Sequence, residues 1–423
     1  MPITRRRLLA GLGASALWWQ PALRAATTKA KGKVVVVGGG WGGLAAAAEL
    51  RRLAPDLDVT LLEPNASFFS LPLSNAWLAG RIELGRLQRD YAPAAARHGY
   101  RHVQSKVIAI DREQRQVHST GGRFDYDWLV LATGIRHDYS AWFAGDLVAA
   151  RESSSRYGAA FLAGDDMATL KRKIDDFAGG DLLMTIPPPP YRCAPAPYER
   201  ASAIAHLFKQ RRIKGRLIVL DPGPGILGFR QLFAERYADQ VTHITHANIT
   251  LVDLATKTVA TEFDSYRFDD AILMPPQQAH DLVWQAGLIG RDSSGKPTGW
   301  AAQDPLHLHA TGDERVFLVG DVLGAVSPLF GYYTKTGHMA VRLGMIAAAE
   351  IAARASEAVP PALLPDSICH VTSDFALPEG IRIEASYRQR GDGVIMQTAH
   401  QQRNAQPRGE DAAWLDQTLA KIL

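Results

Sequence analysis

The sequence predicts an α/β protein with two Rossmann-like dinucleotide-binding domains and a small α+β domain at its C-terminal end. Three observations lead to this prediction. Four consecutive valines, residues 34–37, run into a glycine-rich turn and an alanine-rich helix, which is how a dinucleotide-binding unit begins. A second strand–helix–strand pattern begins near residue 182. Residues 356–423 contain patterns of two short strands, 381–387 and 394–397, and of a terminal helix.

The composition is typical of a globular protein, with 47% hydrophobic and 21% charged residues among 423. Residues 1–25 contain three consecutive arginines, a short apolar stretch and a small-residue cleavage pattern. They predict a twin-arginine signal peptide and a periplasmic location. This segment carries four arginines and no acid, and the whole chain has a net charge of +4, so the remainder is neutral and gives no electrostatic case for nucleic-acid binding. We find no other apolar run long enough to span a membrane.

The first unit contains the pattern Gly38-x-Gly40-x-x-Gly43 between a strand at 34–37 and a helix at 44–53. A second strand, 59–62, ends at Glu63, twenty residues after Gly43. Glycines at these positions let the backbone approach a pyrophosphate at the helix N-terminus, and the acid can accept a hydrogen bond from a ribose hydroxyl. The pattern therefore predicts a dinucleotide site with a free ribose.

Two later segments favour FAD over NAD as the dinucleotide. Thr133-Gly134 follows a strand at 128–131, and Gly320-Asp321 follows a strand at 316–319, before a helix at 336–353. Both segments resemble the other FAD contacts of flavoproteins with two dinucleotide domains, the glutathione-reductase-like fold. We therefore predict a discontinuous FAD-binding domain made of residues 32–150 and 276–355.

Residues 151–275 predict a second, NAD-like domain without an NAD site. Its elements are a helix at 167–177, a strand at 182–186, a helix at 199–211 and a strand at 216–220. The first turn, which should be glycine-rich, contains four prolines, 187–190, and Cys193. Proline has no N–H to offer a phosphate, so NAD binding is not expected. Gly223-x-Gly225-x-x-Gly228 follows the second strand instead of the first, and we interpret it as a loop.

The chain contains two cysteines, Cys193 and Cys369. They have no zinc spacing, and the residues alone leave two interpretations open: a redox pair, which the turn position of Cys193 favours, or a structural disulfide of an exported protein. Arg192 is a possible source of positive charge for a thiolate at Cys193, although the sequence does not give its direction. The histidine pairs 243/246 and 307/309 lack a third ligand, so no metal site is expected.

Residues 191–201, Tyr-Arg-Cys-Ala-Pro-Ala-Pro-Tyr-Glu-Arg-Ala, resemble the redox-cysteine motif of the flavoprotein subunit of flavocytochrome c sulfide dehydrogenase. Four further segments resemble the same family: 68–75 (FFSLPLSN), 275–277 (PPQ), 334–337 (TKTG), and 367–370 (SICH) with 381–388. The resemblance covers essentially the whole mature chain. Sulfide:quinone reductases are more distant relatives.

The resemblance implies that Cys193 and Cys369 form a redox disulfide beside the flavin. Sulfide would attack this disulfide, and the electrons would pass through FAD to a c-type cytochrome subunit. It also implies that Glu199 gives or takes a proton and that Lys335 lies near the flavin and helps to hold its reduced, anionic form. Residues 356–423 would be the C-terminal domain that carries the second redox cysteine.

Two departures from the family pattern affect these expectations. Leu71 stands where the family often has a cysteine that tethers FAD, so FAD should be bound without a covalent bond. Residues 338–341, after Lys335, are less polar than in the family.

Two alternatives remain at this point: the same chemistry on a thiol, polysulfide or other sulfur compound, and a flavin-bearing electron-transfer subunit without sulfur catalysis. A quinone acceptor is disfavoured because no clear amphipathic membrane-binding helix is found near the C-terminus.

Overall fold

The computed structural model describes residues 32–162, 165–377 and 379–423, so the predicted signal peptide, residues 1–25, lies outside the described residues. The helices are α1 (Trp41–Leu53), α2 (Ser74–Leu78), α3 (Tyr91–His98), α4 (Ser140–Phe143), α5 (Leu147–Arg156), α6 (Asp165–Asp176), α7 (Ala196–Arg211), α8 (Leu227–Arg236), α9 (Asp281–Gln285), α10 (Gly337–Ala355) and α11 (Glu410–Ile422). Within these residues no helix is both long and apolar enough to cross a bilayer.

The strands, in chain order, are β1 (Gly32–Val37), β2 (Leu57–Glu63), β3 (Ser67–Phe69), β4 (Gln88–Asp90), β5 (Arg101–Gln104), β6 (Val107–Asp111), β7 (Gln116–Ser119), β8 (Gly122–Asp125), β9 (Trp128–Leu131), β10 (Ile135–His137), β11 (Gly179–Thr185), β12 (Lys214–Leu220), β13 (Val241–Ile244), β14 (Ile249–Asp253), β15 (Thr258–Thr261), β16 (Ser265–Arg267), β17 (Asp270–Ile272), β18 (Gln277–Ala279), β19 (Ile289–Arg291), β20 (Pro297–Ala301), β21 (His309–Ala310), β22 (Asp313–Leu318), β23 (Asp366–Asp374), β24 (Glu379–Gln389) and β25 (Ile395–Asn404).

The first dinucleotide-binding unit is built on a sheet with the strand order β21-β22-β9-β1-β2-β5. All neighbouring strands are parallel except β21, which pairs antiparallel with β22. Val34–Val37 are all buried, as the unbroken apolar run predicts for a central parallel strand. The carboxyl ends of β1, β2, β9 and β22 meet at one edge of the sheet, and the predicted dinucleotide residues follow these ends.

The second unit has a parallel sheet with the order β13-β12-β11-β17. Helix α7 connects β11 to β12, as predicted, and its buried side chains pack on this sheet. The α/β fold class with two parallel-sheet units is therefore confirmed.

The C-terminal region forms an antiparallel sheet with the order β23-β24-β25, followed by α11. Strand β23, which carries Cys369, was not predicted, and the two strands that were predicted are longer than expected. Many of their residues are exposed and polar, so the hydrophobic pattern marked only part of each strand.

Helices α1 and α10 pack closely because both carry glycine at the contact. A Cβ atom on Gly344 would lie 2.3 Å from the carbonyl oxygen of Gly42, and a Cβ atom on Gly42 would lie 3.1 Å from the carbonyl oxygen of Ala340 on α10. This close approach brings the N-terminus of α10 beside the N-terminus of α1, at the edge of the first sheet where the strands end.

Polar contacts tie β23 to the helices of the second unit. The Oγ atom of Ser202 on α7 donates to the carbonyl oxygen of Ser373 at 2.7 Å. Asp374, which is 1% exposed, accepts hydrogen bonds from Tyr237 at 2.6 Å and from Arg236 at 2.5 Å. These contacts hold the Cys369 strand against the unit that contains Cys193.

Candidate active site

A cavity of about 490 Å³ lies where the two parallel-sheet units and the C-terminal sheet meet. Nearly all of the predicted site residues line it: Gly38, Gly40, Glu63, Thr133, Gly134, Cys193, Glu199, Gly320, Asp321, Lys335 and Cys369. Gly43 does not line the cavity. A Cβ atom at Gly43 would lie 1.9 Å from the carbonyl oxygen of Gly38, so this glycine lets the helix begin close to the turn.

The glycine turn presents open backbone to the cavity. Gly38 has φ +101°, and a Cβ atom there would lie 2.6 Å from the carbonyl oxygen of Ala132. Gly40 precedes α1 without a side-chain cap, and a Cβ atom on it would meet nothing within 4 Å among the described residues. The N–H groups of the first helical turn are therefore free for an anion such as a pyrophosphate.

Glu63 lies at the end of β2, beside this turn, and is 8% exposed. Its Oε2 atom accepts a hydrogen bond from the N–H of Gly39 at 2.7 Å. Its Oε1 atom accepts from Nδ2 of Asn65 at 2.7 Å and from the N–H of the same residue at 3.0 Å. The carboxylate is thus fixed at the position where a ribose hydroxyl would meet it.

Two segments continue the cavity away from the turn. The hydroxyl oxygen of Thr133 is buried and has no hydrogen-bond partner among the described residues, as expected for an atom that faces a ligand. Asp321 forms an ion pair with Arg192, whose Nε atom lies 2.6 Å from Oδ2. The Nη1 atom of Arg192 donates to the carbonyl oxygen of Phe161 at 2.7 Å. The guanidinium is therefore fixed between Asp321 and Phe161.

Cys193 and Cys369 are brought together, although they are 176 positions apart in the chain. Cys193 lies in the turn between β11 and α7 with φ +53°, in the left-handed region that non-glycine residues rarely adopt. Its N–H donates to the carbonyl oxygen of Lys335 at 2.7 Å. Both cysteines are free thiols, and both line the cavity. A hydrogen bond to the Cys369 side chain, followed by burial and the nearby Glu199 carboxylate, raises the pKa of the Cys193 thiol.

Glu199 lies in the first turn of α7, close to the cysteine pair. Its Oε2 atom accepts a hydrogen bond from Nδ2 of Asn75 at 2.7 Å, and its Oε1 atom accepts from the N–H of Thr372 at 2.8 Å. Burial raises the pKa of Glu199 to about 7, and these two hydrogen bonds oppose the shift. A carboxyl group with such a pKa can both accept and donate a proton near neutral pH.

Lys335 is buried, with its ammonium group turned toward backbone carbonyls. The Nζ atom donates to the carbonyl oxygens of Asp321 and Leu323, both at 2.8 Å, and lies 3.8 Å from the centre of the Trp300 ring. Burial lowers the pKa of Lys335 to about 7. Its role at the flavin stays a prediction.

Helix α10 presents its N-terminus, with Thr336 and Gly337, to the cavity, and this positive end of the helix dipole favours negative charge there. In the segment that departs from the family pattern, Nδ1 of His338 accepts a hydrogen bond from the N–H of Ile368 at 3.0 Å, next to Cys369.

The second unit uses its own acid internally. Asp221, at the end of β12, is 1% exposed and accepts hydrogen bonds from Tyr198 at 2.6 Å and His243 at 3.0 Å. Its other oxygen accepts from the N–H of Gly223 at 2.8 Å, within the loop that contains the second glycine pattern. These contacts tie the acid to side chains and backbone of its own unit.

The two remaining histidine pairs, 243/246 and 307/309, form no metal site among the described residues, where no group of three or more ligand-type side chains is placed to hold an ion.

The fold and this cavity define a flavoprotein of the class with two dinucleotide-binding domains. FAD fits the residues present: the free helix N-terminus takes a pyrophosphate, Glu63 takes a ribose, and the unpartnered Thr133 hydroxyl faces the remaining space. FAD supplies reversible two-electron chemistry when it is bound.

Comparison with known proteins gives the family. The family model described as the central part of the sulfide dehydrogenase (flavocytochrome c) flavoprotein chain matches residues 167–275, and that of pyridine nucleotide-disulphide oxidoreductases matches residues 32–152. The flavoprotein chain of sulfide dehydrogenase (flavocytochrome c) from Chlorobaculum thiosulfatiphilum is 54% identical over 44 residues, which cover 10% of this chain and 92% of that protein. The chain belongs to the family of this flavoprotein chain.

The sulfide-quinone reductase of Aquifex aeolicus is 26% identical over 262 residues, and the mitochondrial sulfide:quinone oxidoreductase of Mus musculus is 23% identical over 299 residues. These alignments cover 58% and 66% of this chain and 59% and 63% of the two relatives, so the chain spans about three fifths of their length. The solved structure of the Aquifex aeolicus enzyme superimposes with a TM-score of 0.71 at 21% identity and covers 92% of this chain and 91% of that one.

Gly40→Ala tests the dinucleotide site. The backbone at Gly40 has φ −73°, which alanine adopts readily, so the fold should be unchanged. The methyl group would project into the cavity where the pyrophosphate approaches, and we expect the Kd for FAD to rise about tenfold or more. The measurement is FAD occupancy after dialysis, with circular dichroism to check the fold. Gly85→Ala, at an exposed glycine with open space around it, is the matched control. Equal FAD binding by all three proteins would refute this assignment of the turn.

Proposed function

We propose that this protein is a periplasmic FAD-dependent sulfide dehydrogenase that oxidises sulfide through a Cys193–Cys369 disulfide and passes electrons through FAD to a c-type cytochrome. The observation that carries the proposal is that these two thiols, 176 positions apart in the chain, line one cavity that fits FAD. A purely structural disulfide has no need of such a position. The names of the relatives supply sulfide as the substrate class.

The chemistry of the pair follows from thiol–disulfide exchange. When HS⁻ attacks the Cys193–Cys369 disulfide, one S–S bond forms and one breaks, which leaves a cysteine persulfide and a thiolate. Overall, HS⁻ loses one proton and two electrons per sulfur atom oxidised. The glycine turn, Glu63 and Thr133 would hold FAD, and a bound FAD would supply the acceptor for this electron pair and a source of single electrons for a cytochrome. The fold of this chain places the two sulfur atoms in one cavity, and Glu199 in the same cavity wall is the group that takes the proton.

The same cavity wall supports non-covalent binding of FAD. Leu71 lines the cavity, and a leucine side chain has no atom that can form a thioether with the flavin ring. The turn with four prolines, 187–190, argues against NAD as a further electron carrier, because proline has no N–H to offer a phosphate.

A c-type cytochrome is the acceptor we favour, because the family model and one relative are named for flavocytochrome c. Helix α11 buries its apolar residues Leu415, Leu419 and Ile422 inside the protein, so this face is not offered to a lipid surface. Two relatives are named for quinone, and a quinone acceptor is the alternative. The twin-arginine pattern in residues 1–25 supports export to the periplasm, where c-type cytochromes are found.

An anaerobic sulfide titration of the FAD-loaded protein tests the proposal. We expect sulfide to bleach the oxidised-flavin absorbance of the wild type promptly and to leave Cys193→Ser and Cys369→Ser unbleached, because the attack needs the disulfide. Dithionite should still bleach both variants, which shows that their FAD is intact. If the FAD-loaded wild type with its disulfide formed is not bleached, sulfide is not the substrate. Thiols and polysulfide are then the next compounds to titrate, and the absence of bleaching by any of them would indicate an electron-transfer subunit.

Glu199→Gln tests the proton-transfer role. As a base, Glu199 acts in its ionised form. The wild type should therefore have a higher kcat/KM for sulfide than the variant above the Glu199 pKa of about 7, and this difference should be lost as the pH falls below that pKa. We expect kcat/KM for sulfide to fall about 10²-fold in the variant at high pH and much less at low pH. Ionisation of sulfide itself affects both proteins equally and cancels in the ratio. If the ratio of the wild-type kcat/KM to that of the variant stays constant from about one pH unit below the pKa to one unit above it, Glu199 is not the base.

A further inference from the structure

Arg200 is a fully enclosed guanidinium in the wall of the active-site cavity. It follows Glu199 on α7 and is 2% exposed. Burial lowers its pKa to about 10, so the group still carries its charge at neutral pH. In the sequence, Arg192 stands beside Cys193, whereas no pattern singles out Arg200.

The hydrogen bonds of Arg200 are all made to neutral groups. Its Nε atom donates to Oδ1 of Asn75 at 3.1 Å, Nη1 donates to the carbonyl oxygen of Ala159, and Nη2 donates to that of Ala160 at 3.4 Å. The guanidinium also lies 4.5 Å from the centre of the Phe161 ring. No ion pair with a carboxylate involves Arg200 within the described part of the chain, whereas Arg192 is paired with Asp321.

A buried positive charge without a counter-ion is unfavourable, so an enclosed arginine of this kind normally faces an anion. The acidic groups whose charges act on Arg200 are Glu199 and Cys193. Asn75 fixes the arrangement, because its amide accepts from Arg200 through Oδ1 and donates to Glu199 through Nδ2. Arg200 is therefore held beside the acid, and it lines the same cavity as the Cys193 thiol.

We propose that Arg200 is the counter-charge of the site, which favours the anionic form of the sulfur at Cys193. This proposal rests on the proposed redox role of Cys193 and adds to it the source of the positive charge. The other groups that face Cys193 are Cys369 on β23, Glu199 on α7 and Tyr191 in the turn, and Asp411 at the start of α11 acts on Glu199.

Arg200 thus opposes the effects of burial, of Glu199 and of the Cys369 thiol. When the sulfur of Cys369 is bonded to another sulfur, its hydrogen bond to Cys193 is lost, and Arg200 can then hold a thiolate.

The test measures the ionisation of Cys193 without any sulfide. In FAD-loaded protein with Cys369→Ala, Cys193 is the only thiol, and its rate of alkylation by iodoacetamide as a function of pH gives the midpoint of thiolate formation. We expect Arg200→Met to raise this midpoint by at least about one pH unit, which means about tenfold less thiolate below the midpoint. Arg200→Lys keeps the positive charge, so its midpoint should lie close to that of the protein with Arg200. Arg211→Met removes an exposed arginine from the same helix and should leave the midpoint unchanged.

An unchanged midpoint in folded Arg200→Met protein would overturn the proposal, even if sulfide still bleaches the wild type. Conversely, a shifted midpoint in a protein that does not react with sulfide would support the counter-charge and remove the sulfide assignment. If Arg200→Met does not fold, a second measurement on the Cys369→Ala protein decides. A nearby guanidinium should raise the rate with anionic iodoacetate relative to neutral iodoacetamide above the ratio for glutathione. A ratio below that of glutathione would overturn the proposal.

Discussion

Cys369 meets Cys193 because buried polar contacts hold strand β23 against helices α7 and α8. Thr372 donates to Glu199, Ser202 donates to the backbone at Ser373, and Asp374 accepts from both Tyr237 and Arg236. Apolar side chains of β23 and β24 pack into the core of the second unit and exclude water from these contacts. The cysteine pair, the position of Glu199 and the closed wall of the cavity all depend on this junction.

The cavity also contains several charged groups removed from water, and each is balanced differently. Asp321 is paired with Arg192, and the Lys335 ammonium is held by two carbonyls and the Trp300 ring. Burial raises the pKa of Glu199 to about 7, whereas Arg200 keeps its charge at neutral pH. Because the effective dielectric constant is low in such a site, small changes of charge at the sulfur atoms have large effects on these groups. The arrangement suits a reaction in which negative charge appears on a thiolate and a proton is released.

The parts of the fold that follow local rules could be predicted from the sequence. The four valines, the glycines of the turn and Glu63 are adjacent in the chain, and their geometry is fixed by a single strand–turn–helix unit. Cys193 could be placed at the cavity from the sequence, because it lies in the turn of the second unit where a dinucleotide-binding unit has its glycines. The pairing of Cys193 with Cys369 came only from the family resemblance, since no local pattern specifies a contact over such a distance.

Other features could not be predicted, for physical reasons. Strand β23 is formed by backbone pairing, and its polar residues have partners on distant helices, so the sequence shows no period-two apolar pattern there. The direction of Arg192 depends on Asp321, which is 129 positions away. Arg200 looks like an ordinary helical arginine until Ala159, Ala160 and Phe161 enclose it.

The central claim is that the two cysteines are a redox centre coupled to FAD. An anaerobic reductive titration with dithionite tests it most directly, because it counts electrons without relying on any substrate. The account predicts that the oxidised wild type takes up about four electrons per FAD, two by the disulfide and two by the flavin, and that Cys369→Ser takes up about two. Uptake of only two electrons by both proteins would contradict the account.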